Sequence, residues 1–331
     1  MEAATLIYNL PPPSGKLSGV AVNENSPGIA PFAFHAQHGS TPPASGVSEE
    51  TVTGFAACTT NVQMNVRDAR KAEETPSLER QGFTLLTDEG HARDAVDHVS
   101  HEWLRDDDHI RNKYYPKAEA LAMKAMPGAT AAFAFNHVRR ISRQTQALSK
   151  KARHTATGLS APSYMCHADS TASSAIANVR ELAAKGDFEV VGPTELAAHG
   201  EALAKGGRVV ILNLWRLIAN FEQPSPTHLA LCDMRSVDLP KHAIPYHFLV
   251  DGCVGYNYGL DVEAAAEHRW YYYPALAADE VIVFKAYDSE GPAWCFHAAC
   301  DDPSAPEGCA PRESVEVRVA LVFPSESSSL G

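Results

Sequence analysis

Three side chains separated along the chain are of the kinds that bind iron: His167, Asp169 and His297. Two imidazoles and one carboxylate can occupy one face of a ferrous ion and leave the opposite face for a cosubstrate and dioxygen. In His167-Ala168-Asp169 the two ligand-type residues stand at i and i+2, so on a strand both point to one side and can share a metal. The second imidazole must then come from another strand, which accounts for its distance in sequence. Arg312 and Ser314 follow fifteen residues after His297. A guanidinium there can take the far carboxylate of a dicarboxylate in a fork, and the hydroxyl can add a bond. Together these residues read as a non-haem iron, 2-oxoglutarate-dependent oxygenase, with Fe(II) as metal and 2-oxoglutarate as cosubstrate.

A His-x-Asp triplet alone is a weak signal, because many surface loops contain one. Its context strengthens it. The triplet follows the mostly apolar run Ser163-Tyr164-Met165-Cys166, and His297 closes the strand-like run Ala293-Trp294-Cys295-Phe296 before the turn residues Asp301-Asp302-Pro303. From Arg312 the chain alternates: Arg312, Ser314, Glu316 and Arg318 share one face, and Val315, Val317 and Val319 share the other. Such a strand is ordinarily half-buried with its charges in water, so a solvated edge is the plain alternative for Arg312. Its position shortly after a candidate ligand strand favours the clamp. Other residues compete for each role. His268, in the aromatic run Trp270–Tyr273, is the strongest rival for the second imidazole, and His137 and His247 are weaker ones. Arg318 is the rival clamp, and it could equally pair with Glu316 or Asp288. Arg216 and Tyr272 are candidates for the pocket wall, and the Trp270–Tyr273 run itself suits a core better than a substrate cage.

The elements needed to hold these residues are mostly strands. Ala4–Tyr8, Val62–Val66, Gly82–Leu86 and Ala131–Phe135 are expected strands in the first half. A helical pattern runs from about Gly90 to Met126, with Pro116 at a helix start and Pro127-Gly128 as its stop. Helices are also expected at Ala175–Lys185 and Thr194–Lys205. Strands then come in quick succession: Arg208–Trp215, His228–Asp233, Trp270–Tyr273, Val281–Lys285, Ala293–Ala298 and Ser314–Phe323. Many short strands with helices concentrated in the first half predict a mainly β fold with supporting helices (α+β), a double-sheet jelly roll. Residues 14–50, rich in Pro, Gly, Ser and Asn, read as a loop-like connection. No repeat or shift in composition divides the 331 residues, so residues 1–331 are expected to form one catalytic domain.

Composition sets outer limits. With 45% apolar and 21% charged residues the chain can bury a large core. A net charge of −12 without any basic cluster argues against nucleic acid and anionic membranes as partners. Seven cysteines without a C-x-x-C resemble neither a disulfide framework nor a structural zinc site. The absence of a secretory signal and of any ~20-residue apolar window leads to the expectation of a soluble, cytoplasmic protein. The oligomeric state is left open.

Several segments, in order, carry a family resemblance: Asn213-Leu214-Trp215-Arg216, Leu229–Val237, His268–Pro274, Asp279–Ser289, His297–Pro303 and Pro311–Arg318. The chain resembles the fungal secondary-metabolism hydroxylase/desaturase family, which is similar to the gibberellin desaturase and to the hydroxylating component of the cephem methoxylase. The resemblance implies a double-stranded β-helix that uses Fe(II), 2-oxoglutarate and O₂. It also implies His167, Asp169 and His297 as iron ligands, with Arg312 and Ser314 as the cosubstrate clamp. The implied reaction hydroxylates or desaturates a small, largely apolar secondary metabolite. Two other classes stay open: a non-redox isomerase or cyclase using the same barrel pocket, and a binding subunit of a two-component enzyme.

Overall fold

The structure is a computed structural model that describes residues 4–9, 30–32, 59–88, 101–141, 159–160, 162–171, 175, 207–250, 253–291 and 294–324. Strands are numbered in chain order. One sheet has six strands in the order β5 (Phe83–Thr87), β14 (Glu280–Asp288), β9 (Val209–Leu217), β16 (Glu313–Val322), β6 (Ala131–Ile141) and β7 (Leu159–Ser160). The other has eight: β2 (Ala30–Phe32), β11 (Ala243–Val250), β12 (Cys253–Leu260), β8 (His167–Ala168), β15 (His297–Asp301), β10 (Thr227–Cys232), β13 (Trp270–Tyr272) and β4 (Val66–Asp68). A separate ribbon pairs β1 (Ala4–Asn9) with β3 (Thr59–Met64).

Both sheets are covered on both faces, which is why β9 reads as an unbroken buried run rather than an alternating one. The outer face of the six-stranded sheet places Leu212, Leu214, Val315, Val317 and Val319 in one apolar cluster with helix α1 (Tyr115–Ala125). Pro116 sits in the first turn of α1, where its missing N–H costs no hydrogen bond, and the chain turns away at Gly128, whose φ of +98° suits glycine. The outer face of the eight-stranded sheet packs Cys166, Ala168, Ala298, Cys300 and Trp270 against Leu6 and Tyr8 of the ribbon. Between the sheets lies a third cluster that includes Phe83, Trp215, Leu229, Leu231, Ile282 and Phe284. The fold is mainly β with few helices, a curled sheet of the jelly-roll type.

One close approach links the ribbon to the ligand strands. A Cβ at Gly259 would fall 2.0 Å from Asn9 Oδ1, and Gly259 pairs directly with His167. Only a residue without a side chain lets the ribbon lie this near β12.

Several elements differ from the expectation. The strand expected over Ala293–Ala298 begins at His297 itself and runs on to Asp301. The β11–β12 hairpin escapes sequence reading because Pro245, Gly255 and Gly259 interrupt its pattern. Within 14–50, Ala30–Phe32 pairs in parallel with β11 and is not loop, while the rest of that stretch lies outside the described residues. The helix expected over Ala175–Lys185 is described only at Ala175, and the one over Thr194–Lys205 lies outside the described residues.

Candidate metal centre and cosubstrate cavity

Strand pairing brings the ligand-type residues together. His297 on β15 is the register partner of His167 on β8, so the two imidazoles stand side by side on the inner face, their ring centroids 4.4 Å apart. Alternation puts their neighbours Cys166, Ala168, Phe296 and Ala298 on the outer face, in the core. Asp169 follows directly after β8 and is not part of that two-residue strand. Its Oδ1 lies 3.6 Å from His167 Nε2 and 3.9 Å from His297 Nε2. One ligand atom from each residue lies within 4.8 Å of the others, a separation one metal ion can bridge.

The surroundings aim these atoms inward. His167 Nδ1 donates to the Met165 carbonyl at 2.7 Å, and His297 Nδ1 donates to the Cys295 carbonyl at 3.2 Å. A carbonyl can only accept, so each Nδ1 carries the proton and each Nε2 presents a lone pair. Burial, then the neighbouring His167, pushes the His297 pKa down to about 3, so the ring is neutral and able to ligate. Asp169 is held from behind: its Oδ2 accepts from Asn213 Nδ2 at 2.5 Å and from Arg318 Nη2 at 3.1 Å. Burial alone would raise this carboxyl, but the Arg318 guanidinium beside it holds it well below the usual carboxylate range. Arg318 is in turn fixed by Glu316 at 2.8 Å and by Asn136 Oδ1 at 2.7 Å. These contacts leave Oδ1 of Asp169 facing the imidazoles. Neutral nitrogen donors with one carboxylate form a donor set that suits ferrous iron.

Arg312 and Ser314 face the same interior. Arg312 is 3% exposed; its Nη1 donates to the His228 carbonyl at 2.9 Å and its guanidinium lies over the Trp215 ring at 5.5 Å. Its Nε and the Ser314 Oγ are buried without hydrogen-bond partners among the described residues. Burial, then the nearby charge of Arg140, lowers the Arg312 pKa to about 10. A buried guanidinium and hydroxyl left short of acceptors beside a cavity lined by His167, His297, Arg140 and Glu316 fit an incoming carboxylate. The charged face of β16 is therefore turned into the protein rather than into water. That is possible because β16 is a central strand whose other face is already covered by α1.

The remaining candidates separate by strand parity. Arg216 lies on the outer face of β9, paired with Asp88 at 3.2 Å and donating to the Ala278 carbonyl, so it is no part of this cavity. Tyr272 lies in the outer cluster of the eight-stranded sheet, with His228 against its ring. It too is outside the cavity. His268 is tied to Tyr8 OH and His242 Nδ1, both at 3.2 Å, on the ribbon side of the eight-stranded sheet. His137 bonds Tyr115 OH and Asp107 on the α1 side, and the His247 side chain lies outside the described residues. Sequence reading missed Asn213, which holds Asp169. Asn213 carried a signal, being a polar residue inside the apolar run Val209–Leu217.

The family described as an oxidoreductase/YMDC permease-like domain matches residues 26–323. The hydroxylase/desaturase efuI of Hormonema carpetanum is 31% identical over 275 residues, spanning 78% of this chain and 82% of its own. The alpha-ketoglutarate-dependent dioxygenase phiK of a fungal species is 29% identical over 74% of this chain and 79% of its own length. Among solved structures, the iron and alpha-ketoglutarate-dependent endoperoxidase NvfI superposes with a TM-score of 0.67 at 19% identity, covering 98% of each chain. The chain belongs to this fungal family of Fe(II)/2-oxoglutarate-dependent hydroxylases and desaturases, an oxidoreductase of the dioxygenase class.

Proposed function

We propose that His167, Asp169 and His297 hold Fe(II), and that Arg312 with Ser314 grips the distal carboxylate of 2-oxoglutarate. The observation that carries this is the pairing within one inter-sheet space of three converging ligand atoms with a buried guanidinium and hydroxyl that lack acceptors. Iron and 2-oxoglutarate, when bound, supply the oxidation of a substrate C–H with dioxygen, releasing succinate and CO₂. The protein's residues do the positioning. The Met165 and Cys295 carbonyls fix the imidazole tautomers, and Asn213 and Arg318 fix the carboxylate. Phe284 packs on the His297 ring at 4.6 Å and helps keep water from that side. The lining supports the substrate class: Trp215, Leu229 and Phe284 give the inter-sheet space an apolar wall, suited to a small, largely apolar secondary metabolite. Its oxidation is a hydroxylation or a desaturation, as the names of the relatives suggest. The same side chains have no role in a non-redox template, in which buried charges aimed at an empty space would only be costly.

The test is an anaerobic assay of the iron-loaded protein with and without 2-oxoglutarate, followed by admission of air, with extracts of a deletion strain as the substrate source. Succinate formation coupled to loss of one extract component, and only with all three of Fe(II), 2-oxoglutarate and O₂, is the expected result. Full conversion of that component without oxygen and without 2-oxoglutarate would overturn the reading.

A further inference from the structure

Asp169 is held from the six-stranded sheet by one row of inward-facing residues that crosses four strands. Phe284 on β14 pairs with Asn213 on β9, Asn213 with Arg318 on β16, and Arg318 with Asn136 on β6. Directly opposed residues project to the same face of a sheet. Phe284 packs on the His297 ring, Asn213 and Arg318 bond Asp169, and Asn136 Oδ1 accepts from Arg318 Nη1 at 2.7 Å. The row ends at an irregularity. On β16 Arg318 and Val319 are consecutive, but their partners Asn136 and Ala134 are two apart, so Phe135 is bulged out of the ladder. Ala134 lies in the outer cluster with α1, and His137 bonds to α1 as well, so the outer face passes from even to odd numbers across Phe135. Pairing without the bulge would set Phe135 opposite Arg318 and turn Asn136 to the outer face, because a slip of one residue exchanges the two faces.

Helix α1 grips β6 on both sides of this bulge. Glu119 Oε1 accepts from the Ala134 amide at 2.8 Å, before Phe135. Tyr115 OH donates to His137 Nδ1 at 2.9 Å, after it. His137 Nε2 in turn donates to Asp107 Oδ1 at 3.2 Å; a carboxylate accepts, so Nδ1 is the atom left to accept from Tyr115. Tyr115 and Glu119 stand four residues apart, one turn along the same face of the helix. We propose that Tyr115 and Glu119 are positioning residues of the metal centre: they fix the bulge of β6 at Phe135, which keeps Asn136 on Arg318 and so Arg318 on Asp169. This rests on the reading of Asp169 as an iron ligand. The two residues act from the opposite face of the sheet and touch neither the metal ligands nor the cavity.

Fe(II) affinity of the full chain is measured anaerobically by equilibrium dialysis, and the absorption spectrum of the Co(II)-loaded protein reports the ligand geometry. Glu119→Ala should weaken Fe(II) by about threefold or more, less than the roughly tenfold of a group that touches the ligand itself, and should alter the Co(II) bands. Glu119→Gln, whose amide oxygen still accepts from the Ala134 amide, should restore both. Asn136→Ala should show a loss of the same kind. The double variant Glu119→Ala/Asn136→Ala should be no weaker than the worse single one, because both act along one path. Tyr115→Phe, which removes only the hydroxyl, should move iron affinity the same way and stands in if Glu119→Ala does not fold. Unfolding midpoints of every variant separate lost folding from a displaced ligand. Wild-type iron affinity in folded Glu119→Ala, or in Tyr115→Phe where it stands in, would overturn the proposal. So would additive losses in the double variant, which would mean that Glu119 acts by another route. Full iron affinity in His297→Ala would instead reject the ligand reading beneath it.

Discussion

The two ends of the inter-sheet cavity are built on opposite principles. At the metal end every rear atom has a partner: each Nδ1 finds a carbonyl, and Asp169 Oδ2 finds Asn213 and Arg318. At the other end the Arg312 Nε and the Ser314 Oγ are left without acceptors among the described residues. A metal site has to be fixed before the ion arrives, because a loose carboxylate between two imidazoles would pair with them instead. A site for an exchanging dianion, the role we propose for Arg312 and Ser314, must instead leave its donors unspent, and the Trp215 ring under the Arg312 guanidinium offsets part of that cost.

The contrast is broken most severely by removing a ligand. His297→Ala should abolish tight Fe(II) binding, while His268→Ala should keep iron and lose only stability, since His268 serves the Tyr8–His242 network. Metal analysis of the purified proteins decides it, and a full complement of iron in His297→Ala would sink the ligand assignment. Next in size, Arg312→Ala should weaken 2-oxoglutarate by about 10- to 100-fold with iron retained, as loss of a charge-assisted contact implies. Arg318→Ala should do the reverse and weaken iron, because its partner is Asp169. Titrations of the two variants with each ligand test the division, and equal losses of 2-oxoglutarate would mean a shared clamp. A smaller effect is expected from Asn213→Ala, about tenfold in iron affinity, the usual consequence of removing a group that orients a ligand.

Outside the cavity the comparison sharpens differently. Arg216→Ala should leave both affinities unchanged yet cost about 3–5 kcal/mol of stability, because it breaks a buried ion pair with Asp88. Denaturant unfolding beside a cosubstrate titration checks both halves. The gentlest effect is in pH. Burial first, with His242 or Arg216 nearby, lowers the pKa of His268 and His101 to about 4. Unfolded histidines take up protons near pH 6.5, so between about 6.5 and 4 the unfolded state binds more of them and stability falls as pH falls. Each such histidine contributes a slope of about 1.4 kcal/mol per pH unit in that window. Unfolding midpoints for wild type and His101→Gln at pH 7 and pH 5 should converge as pH drops, and parallel shifts would exclude His101 from the slope.

Much of this was legible in residue types. The two-faced alternation of Arg312–Val319 states a local rule that the fold obeys, whereas His167 and Asp169 come together although the strand that was to carry both ends at Ala168. Where local rules stop, the reading stops too. Arg216 and Arg312 are both buried arginines near apolar strands, and composition cannot tell which faces the cavity. Position on the strand can: Arg216 shares a face with Leu212 and Leu214 under α1, and Tyr272 shares one with the outer cluster that includes Trp270. The β11–β12 hairpin stayed hidden because its stability comes from pairing with neighbours rather than from its own pattern.

The sequence by itself determined which side chains can chemically bind iron and a dicarboxylate, and that strands would have to carry them. Only the tertiary structure decided that His297 rather than His268 stands beside His167, because strand register is set between segments 130 residues apart. It also decided that Asn213 and Arg318 hold Asp169. Those contacts cross from one sheet to the other or between neighbouring strands, and spacing along one strand carries no information about what the opposite sheet presents.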